Sequence, residues 1–359
     1  MAERELAQIG ALYRPEKYTS RTHIPQVAVI GAGYWGPNLV RNFRAIAGES
    51  LRLCCDLDQG RADAMQRQFP GLGISNDPDR VFADKSIAAV AIATPVHTHH
   101  ALAKAALLAG KDVLLEKPMT ASAAEAEDLI AVAERMQRVL MVDHTFLFSP
   151  SVRKVKDLVD DGQLGTLLYV DSVRINLGVF HHDVDVIWDL APHDLSIVDY
   201  IVGRPPRSLS VLGGSHTGNG LANVAYLSLD YGDGLIANFH VNWLSPVKVR
   251  HTMLGGSLRS LIYNDLDSIE KVKVYDSGIT VNADELEGRR RNLIECRTGD
   301  VWSPHVDGGE PLRNVAAHFL DCVSTRRKPL TDGAAGLRVV RLLEAASQSL
   351  RAGGERVKL

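Results

Sequence analysis

Cysteine is scarce in this sequence, which contains only Cys54, Cys55, Cys296 and Cys322 among 359 residues. No two of them form a CxxC pair, and the chain is far longer than the small domains that disulfides stabilise. Cys54 and Cys55 lie in an apolar run, where a free thiol packs as a small hydrophobic side chain. We therefore expect reduced cysteines and a cytoplasmic protein.

Long apolar runs and an excess of positive charge are also missing. No stretch approaches the roughly 18 apolar residues of a membrane span, and the opening MAERELAQIG has no signal-peptide-like apolar segment. Forty lysines and arginines oppose 43 aspartates and glutamates, for a net charge of −3, and the run Arg289–Arg291 is interpreted as a solvated loop. Because nucleic-acid-binding proteins usually carry a basic excess or stripe, we expect neither a nucleic-acid nor a membrane partner.

The remaining composition is that of an ordinary globular protein, with 45% apolar and 23% charged residues, and the length predicts two domains. Residues 1–25 form an N-terminal extension. Residues 26–148 alternate short apolar runs with helical stretches, which predicts a parallel sheet with covering helices. Within residues 149–359, consecutive strands with short turns such as Gly232–Gly234 predict a largely antiparallel sheet.

The strongest local signal is the sequence Gly31-Ala32-Gly33-Tyr34-Trp35-Gly36. It directly follows the predicted strand Val27–Ile30 and opens a helix, a context that predicts a Rossmann dinucleotide-binding domain. Gly31 permits a tight turn, Gly33 lets the backbone approach a pyrophosphate, and Gly36 allows close packing of the helix. The helix N-terminus then attracts phosphate groups. A glycine turn without a ligand is the alternative, which this context disfavours.

Asp56 ends the second predicted strand, 20 residues after Gly36. A carboxylate at this point bonds the adenosine ribose of a dinucleotide and repels a 2′-phosphate, so we predict NAD rather than NADP. Two alternatives stay open. Asp56 could simply cap the segment that follows, and Asp58 is near enough to take over the ribose contact.

Two short motifs, Thr94-Pro95 and Glu116-Lys117-Pro118, stand at the carboxyl ends of two further predicted strands. Ligands bind at this edge in open parallel sheets. Lys117 has a flexible stem and a charge that its surroundings can tune, so it could bond a substrate oxygen or carry its proton. The alternative is a surface lysine in a turn.

Asp189 and His193 are four residues apart on a predicted helix and therefore share a face. A carboxylate beside an imidazole orients the ring and raises its basicity, as in a general base. Pro192 complicates this interpretation, because proline usually starts or kinks a helix. An ion pair without a catalytic role is the alternative.

Two clusters of histidines raise the question of a metal site. One comprises His97, His99 and His100, and the other comprises His181, His182, Asp183 and Asp185. Neither has the closed spacing of a structural metal site, so we predict no metal. His99 is expected to help begin the helix after Pro95, and the second cluster is expected to border the substrate.

Together, the glycine motif, the TP and EKP motifs and the DxxxH motif resemble the glucose–fructose oxidoreductase, inositol dehydrogenase and rhizopine catabolism family (Gfo/Idh/MocA), over about residues 26–359. The resemblance implies an α/β protein in which a Rossmann domain (26–148) precedes a domain for substrate binding and oligomerisation (149–359). The second domain would carry an open, mostly antiparallel sheet and form homodimers or homotetramers.

The resemblance also implies roles for particular residues. Lys117, Asp189 and His193 would be catalytic, with Lys117, His181 and His193 contacting the substrate. The implied cofactor-binding residues are Gly31, Gly33, Tyr34, Trp35, Gly36, Asp56, Thr94, Pro95, His99, Glu116 and Lys117. One departure is Ser196, because many members have an aspartate three residues after the histidine.

The stretches YWGPNLVRNF and WDLAPHDLSIVDYIVG resemble the branch that acts on nucleotide sugars or sugar-like rings. We therefore predict hydride transfer between NAD and a ring carbinol or ketone carbon of a sugar or nucleotide sugar. One alternative is an inositol or aminocyclitol (aminoglycoside) dehydrogenase. Another is a non-catalytic NAD-binding sensor, which the full set of Lys117, Asp189 and His193 disfavours.

Overall fold

The computed structural model describes residues 24–178, 180, 184–281 and 294–359. The chain divides into two compact units. Of the described residues, the first unit contains those up to Thr145 together with Gly309–Val340, and the second contains those within Phe146–Gly308 and Arg341–Leu359. Residues 309–340, predicted to lie in the second domain, thus belong to the first unit.

The first unit is built on six strands: β1 (Val27–Ile30), β2 (Leu51–Cys55), β3 (Gly73–Ser75), β4 (Ala89–Ile92), β5 (Asp112–Glu116) and β6 (Leu140–Asp143). They form one parallel sheet in the order β3-β2-β1-β4-β5-β6. All residues of β1, β4, β5 and β6 are buried, which explains their continuous apolar runs. The strand order reverses between β1 and β4, and ligands bind at such a switch point in parallel sheets.

Five helices alternate with these strands: α1 (Gly36–Ala47), α2 (Gln59–Gln68), α3 (Pro78–Ala83), α4 (Val96–Leu108) and α5 (Ala123–Met136). Strand β3 and helix α3 were not predicted, because runs of three and six residues are too short to show a hydrophobic period. The predicted Rossmann-type order of strands and helices is confirmed.

The second unit contains eleven described strands: β7 (Leu167–Leu177), β8 (Ser208–Gly214), β9 (Val224–Asp230), β10 (Ile236–Asn242), β11 (Leu244–Gly256), β12 (Ser260–Asn264), β13 (Val272–Tyr275), β14 (Gly278–Val281), β15 (Ile294–Arg297), β16 (Val301–Trp302) and β17 (Val357–Lys358). Nine of them form one sheet in the order β16-β13-β12-β11-β7-β10-β9-β8-β17, and β14 pairs with β15. Among the described strands of this sheet, only β7 and β10 pair in parallel, so the prediction of a mostly antiparallel sheet is confirmed.

Helices α6 (Pro150–Asp160) and α7 (Val186–Val202) belong to this unit, and α7 packs against β7, β9 and β10. Strand β10 shows the resulting alternation: Phe239 is fully buried, whereas Ile236 on the opposite face is exposed. The turn between β9 and β10 contains Gly232 and Gly234, both with positive φ, which confirms the predicted hairpin.

The chain then returns to the first unit through α8 (Pro311–Thr325) and the first part of α9 (Gly333–Arg351). Phe319 of α8 packs edge-on against Phe43 of α1, with ring centroids 6.4 Å apart. Arg326, which follows α8, donates a 2.7 Å hydrogen bond to the buried Asp112. These contacts explain why the segment joins the first unit. In the described ranges, no helix is both long enough and apolar enough to cross a membrane.

Candidate active site

The three glycines of the loop after β1 have different surroundings. At Gly31, φ is +99° and a Cβ atom would lie 2.5 Å from the Ala93 carbonyl oxygen. At Gly36, a Cβ atom would lie 2.0 Å from the Gly31 carbonyl oxygen. The protein's own packing therefore demands glycine at both positions.

Gly33 is not demanded by packing, since the atom nearest to a Cβ there would be Arg61 Nη1, at 3.9 Å. The missing side chain instead leaves the backbone open to a molecule outside the protein. Helix α1 begins immediately afterwards, and its N-cap residue Trp35 makes no side-chain capping hydrogen bond. A half-buried glycine backbone with no side chain covering it, at a helix N-terminus without a side-chain cap, fits the pyrophosphate of a dinucleotide.

Tyr34 and Trp35 lie on the outside of this loop. The Tyr34 side chain is 87% exposed, and its ring meets the ring of Trp35 edge-on with centroids 5.6 Å apart. Their exposure leaves both predicted cofactor residues accessible to a ligand.

Asp56 is 8% exposed, and its two carboxylate oxygens accept different hydrogen bonds. Oδ2 accepts from the Ala32 N–H at 2.6 Å, and Oδ1 accepts from the Asp58 N–H at 2.9 Å. Asp58, in contrast, caps α2 by accepting from the backbone of Gly60 and Arg61. The capping role thus falls to Asp58, and Asp56 remains the predicted ribose ligand.

His99 lies in the first turn of α4 and links the TP motif to the EKP motif. Its side chain is 1% exposed, with Nδ1 2.9 Å from the Pro118 carbonyl oxygen and Nε2 2.8 Å from the Thr94 carbonyl oxygen. Burial lowers the pKa of this imidazole. The geometry favours a positioning role for His99 between the two loops over the direct cofactor contact that we predicted.

Lys117 directly follows β5, next to two buried acids. Glu116 and Asp143 are register partners at the ends of β5 and β6. Burial, reinforced by Asp143, raises the pKa of Glu116 well above its ordinary value, and burial raises the pKa of Asp143 to about 6. The positive charge of Lys117 opposes both increases. The half-buried Lys117 therefore lies close to two buried carboxyl groups, a setting that a surface lysine would not have.

Two neighbours of Lys117 complete this cluster. Glu116, predicted to bind the cofactor, is buried, and its Oε2 accepts a 3.1 Å hydrogen bond from the Lys117 backbone N–H, which supports the loop. His144 is also buried, and burial together with the charges of Lys117 and Arg338 lowers its pKa to about 3. His144 was missed in the sequence, because no local pattern distinguishes it from a solvent-exposed histidine after a strand.

In the second unit, α7 carries the Asp189 and His193 pair. The helix begins at its N-cap Asp185, whose Oδ1 accepts hydrogen bonds from the Ile187 and Trp188 backbones, both at 3.0 Å. It continues through Pro192, so Asp189 and His193 lie one turn apart on one face. Asp185 therefore acts as a helix cap.

Two aromatic side chains hold this pair. The Trp243 indole N–H donates a 3.1 Å hydrogen bond to Asp189 Oδ2, and Trp243 is 2% exposed. The His193 ring packs edge-on against Phe146, with centroids 5.1 Å apart. Neither contact was predicted, because Trp243 lies 54 residues from Asp189 and Phe146 lies in a different element.

A buried ion pair lies beside His193. Arg174 makes two 2.8 Å hydrogen bonds to the carboxylate of Asp194, and the two side chains are 3% and 4% exposed. The guanidinium also lies over the Phe146 ring, 4.5 Å from its centroid. Ser196, the departure noted in the sequence, donates a 2.8 Å hydrogen bond to the His193 carbonyl oxygen.

The histidine clusters do not assemble into a metal site where they are described. His181, His182 and Asp183 lie outside the described residues. His100 pairs with Asp128 at 2.6 Å, while His99 is held by carbonyl oxygens. Across residues 24–178, 180, 184–281 and 294–359, no group of three or more potential ligands could hold a metal ion. Of the predicted catalytic residues, Lys117 lies in the first unit and Asp189 and His193 lie in the second.

Comparison with known proteins gives two family matches and several relatives. Residues 26–144 match the model of an oxidoreductase family with an NAD-binding Rossmann fold, and residues 152–261 match the GFO/IDH/MocA C-terminal domain. Inositol 2-dehydrogenase 1 of Saccharopolyspora erythraea is 33% identical over 159 residues. That match covers 44% of this chain and only 47% of the relative, about half its length.

A second relative is covered more fully. UDP-N-acetylglucosamine 3-dehydrogenase of Acidithiobacillus ferrooxidans is 26% identical over 325 residues, which are 88% of this chain and 94% of the relative. A solved structure of that enzyme superposes with a TM-score of 0.77 and 23% identity, covering 93% of this chain and 99% of the other. This superposition shows the shared fold.

Proposed function

Since this chain belongs to the NAD-binding Gfo/Idh/MocA oxidoreductase family, we propose that it oxidises a ring CH–OH group of a sugar or nucleotide sugar, or reduces the corresponding ketone. The observation that carries the proposal is that Asp189 and His193 lie one turn apart on one face of α7, and that Trp243 donates a hydrogen bond to the carboxylate of Asp189. A carboxylate held beside an imidazole is the arrangement of a general base.

The first unit provides the groups that would hold the dinucleotide. The open backbone at Gly33 and the N-terminus of α1 would bind its pyrophosphate, and Asp56 would bond its adenosine ribose. A carboxylate at Asp56 disfavours the 2′-phosphate of NADP. The bound nicotinamide would supply the acceptor or donor of the hydride.

The proton of the substrate hydroxyl requires a separate acceptor. We assign that role to His193, with Asp189 orienting its ring, and we assign to Lys117 a hydrogen bond to the substrate oxygen. The roles of His193 and Lys117 could be exchanged, and the same groups serve ketone reduction. Neither residue is needed for NAD binding alone, so a non-catalytic sensor explains them less well.

The extent of the matches guides the choice of substrate. The match to the UDP-N-acetylglucosamine 3-dehydrogenase covers 88% of this chain, whereas the match to the inositol 2-dehydrogenase covers 44%. This difference favours a nucleotide sugar. An inositol or an aminocyclitol remains the second candidate, because the same proton acceptor and hydride transfer would serve any secondary ring alcohol.

The open face of the nine-stranded sheet supports an assembly. Leu212, Tyr226 and Ile236 are large, exposed apolar side chains on that face, and such patches usually mark interfaces. We infer a homodimer or homotetramer with closed symmetry.

The cysteines carry free thiols, which fits the cytoplasmic location that we propose.

A substrate screen tests the proposed activity. Purified protein and NAD are incubated with a panel of nucleotide sugars, free sugars and inositols, and NADH formation is followed by its absorbance. We expect turnover with at least one nucleotide sugar. NAD binding without turnover of any compound in the panel, in either direction, would instead favour the sensor.

Substitutions then test the assigned groups. Lys117→Ala and His193→Ala should each lower turnover by roughly 10²- to 10⁴-fold, with little change in the Kd for NAD. The control is Lys104→Ala, which removes a lysine paired with Asp128 outside the proposed machinery and should leave turnover unchanged. Full activity of Lys117→Ala would remove Lys117 from the mechanism.

A further inference from the structure

We propose that Trp243 is a positioning residue for proton transfer, because its indole N–H fixes the carboxylate that orients His193. This inference rests on the proposed function and adds a third member to the Asp189 and His193 pair. The indole N–H lies 3.1 Å from Asp189 Oδ2.

Contacts of its backbone and its ring hold Trp243 in place, so that its indole N–H can restrain the orientation of a neighbouring side chain. Its backbone N–H donates to the Asn223 carbonyl oxygen at 2.9 Å, and its own carbonyl oxygen accepts from the Gly178 N–H at 3.0 Å. A Cβ atom at Gly178 would lie 2.8 Å from Trp243 Cδ1, so the Gly178 backbone packs directly on the indole. The Phe180 ring meets the indole edge-on, with centroids 5.8 Å apart.

The carboxylate of Asp189 needs a hydrogen bond from a fixed donor to hold it in one orientation. The last torsion of an aspartate side chain has a broad, roughly two-fold distribution, so rotation of the carboxylate is restricted only weakly by the chain itself. A hydrogen bond donated to one oxygen selects one orientation, and bonds to charged acceptors are among the stronger ones. Because Asp189 is only half-buried, water can reach its side chain and compete for the oxygen that Trp243 binds.

A second tryptophan in the same unit provides a matched comparison. The Trp188 indole N–H donates a 2.8 Å hydrogen bond to Ser347 Oγ and so ties α7 to α9. Trp188 immediately precedes Asp189, yet its indole contacts a neutral hydroxyl outside the proposed machinery. Loss of either indole hydrogen bond removes one side-chain contact of α7, but of the two only the Trp243 bond is donated to the Asp189 carboxylate.

The experiment compares Trp243→Phe with Trp188→Phe, using the substrate found in the screen. We expect Trp243→Phe to lower kcat roughly tenfold, since a hydrogen bond to a charged group is typically stronger than one between neutral groups. KM and the Kd for NAD should change little, because the lost interaction acts on the chemical step. In Trp243→Phe, the isotope effect on kcat measured with substrate deuterated at the carbon that loses the hydride should rise, because the slowed chemical step then limits the rate more fully. Trp188→Phe should keep the wild-type kcat and the wild-type isotope effect.

The double variant identifies the partner through which Trp243 acts. Asp189→Ala removes the acceptor, so adding Trp243→Phe to that background should lower kcat no further. A multiplicative loss would show that Trp243 acts by another route and would overturn the proposal. Replacing the Trp243 indole by benzothiophene, which keeps the shape and lacks the N–H, repeats the test should phenylalanine impair folding.

The remaining outcomes separate this inference from the proposed function. A loss of turnover in Asp189→Ala with wild-type kinetics in Trp243→Phe would overturn the inference and leave the proposed function standing. Wild-type turnover in both Asp189→Ala and His193→Ala would overturn the proposed pair, and the inference with it.

Discussion

Asp56 and Ala32 are joined by a 2.6 Å hydrogen bond from the Ala32 N–H to the Asp56 carboxylate, so that the end of β2 holds the glycine turn that follows β1. One carboxylate thereby combines two tasks: it shapes the loop predicted to receive the pyrophosphate and presents a negative charge where a ribose is expected. The two tasks can be separated experimentally, because only one of them needs the charge.

Substitution of Asp56 should change the cofactor preference. Asp56→Asn keeps an oxygen acceptor for the Ala32 N–H but removes the charge, and Asp56→Ser also shortens the side chain. We expect wild-type protein to bind NAD more tightly than NADP and both variants to narrow that difference, with the larger loss of NAD affinity in Asp56→Ser. Titrations of each variant with NAD and with NADP give the four Kd values to compare with those of the wild type. Tighter binding of NADP by the wild type would contradict the assignment of Asp56.

Alanine at Gly33 should impair NAD binding and leave folding intact, whereas alanine at Gly36 should impair folding. The protein atom nearest to a Cβ atom at Gly33 would be 3.9 Å away, an ordinary contact distance, so Gly33→Ala should fold normally while weakening NAD binding. A Cβ atom at Gly36 would overlap the Gly31 carbonyl oxygen at 2.0 Å, so Gly36→Ala should lower the melting temperature. Thermal unfolding and NAD titration of both variants give the comparison. Unchanged NAD affinity in Gly33→Ala would argue against a ligand at this loop.

The buried Arg174 and Asp194 pair should be important for stability. Asp194→Asn removes one partner of an almost fully buried pair and should lower the free energy of unfolding by roughly 3–5 kcal/mol, because it leaves a buried charge uncompensated. The control is Asp233→Asn in the exposed Arg204–Asp233 pair, which should change stability little. Denaturant unfolding measures the change in the free energy of unfolding for each variant. Equal small effects in the two variants would show that the buried pair is dispensable.

His144 should make the first unit sensitive to acid. Burial and the charges of Lys117 and Arg338 lower its pKa to about 3, so the unfolded chain binds the proton at a higher pH than the folded chain does. The stability contributed by His144 is therefore fully present above about pH 6.5 and is lost as the pH falls towards 3, at up to about 1.4 kcal/mol per pH unit. His144→Phe should lack this loss.

The measurement is the free energy of unfolding of wild type and His144→Phe at several pH values between neutral and mildly acidic. As the pH falls, the free energy of unfolding should decrease more steeply for the wild type than for His144→Phe. His305→Gln, at an exposed histidine, serves as the control and should follow the wild type. Parallel curves for wild type and His144→Phe would contradict the prediction.

The open sheet face should mediate assembly. Leu212→Asp and Tyr226→Asp place a charge on that face and should convert a dimer or tetramer to smaller species, because a buried charge without a partner is costly. Leu108→Lys, at an exposed position of the first unit, is the control. Light scattering at micromolar concentration reports the mass, and a wild-type monomer under these conditions would refute the proposed assembly.

The fold of the first unit was predictable because its signals are local. Strands β1 and β4 are continuous apolar runs and β5 contains the run Val113–Leu115, and the glycine motif after β1 predicts a ligand-binding turn from six consecutive residues. In the second unit, the predicted helix that carries Asp189 and His193 corresponds to α7, and its interior proline does not interrupt it. Only the shortest elements, such as β3, escaped prediction.

The arrangement around the predicted residues was less predictable. Asp56 and Asp58 are two residues apart and equally acidic, and only the positions of Ala32 and Gly60 assign the turn to one and the helix cap to the other. His99 looked like a cofactor ligand, yet the tertiary structure buries it between two carbonyl oxygens. A sequence gives the chemistry of such side chains but not their partners.

The sequence by itself determined the order of strands and helices, the glycine turn, the carboxylate after β2, and the one-turn spacing of Asp189 and His193. All of these follow from interactions among residues that are near neighbours in the chain. The tertiary structure decided the return of residues 309–340 to the first unit, the Arg174–Asp194 pair and the bond from Trp243 to Asp189. These depend on contacts between residues far apart in the chain, where packing of the whole core selects the partners and no local pattern records them.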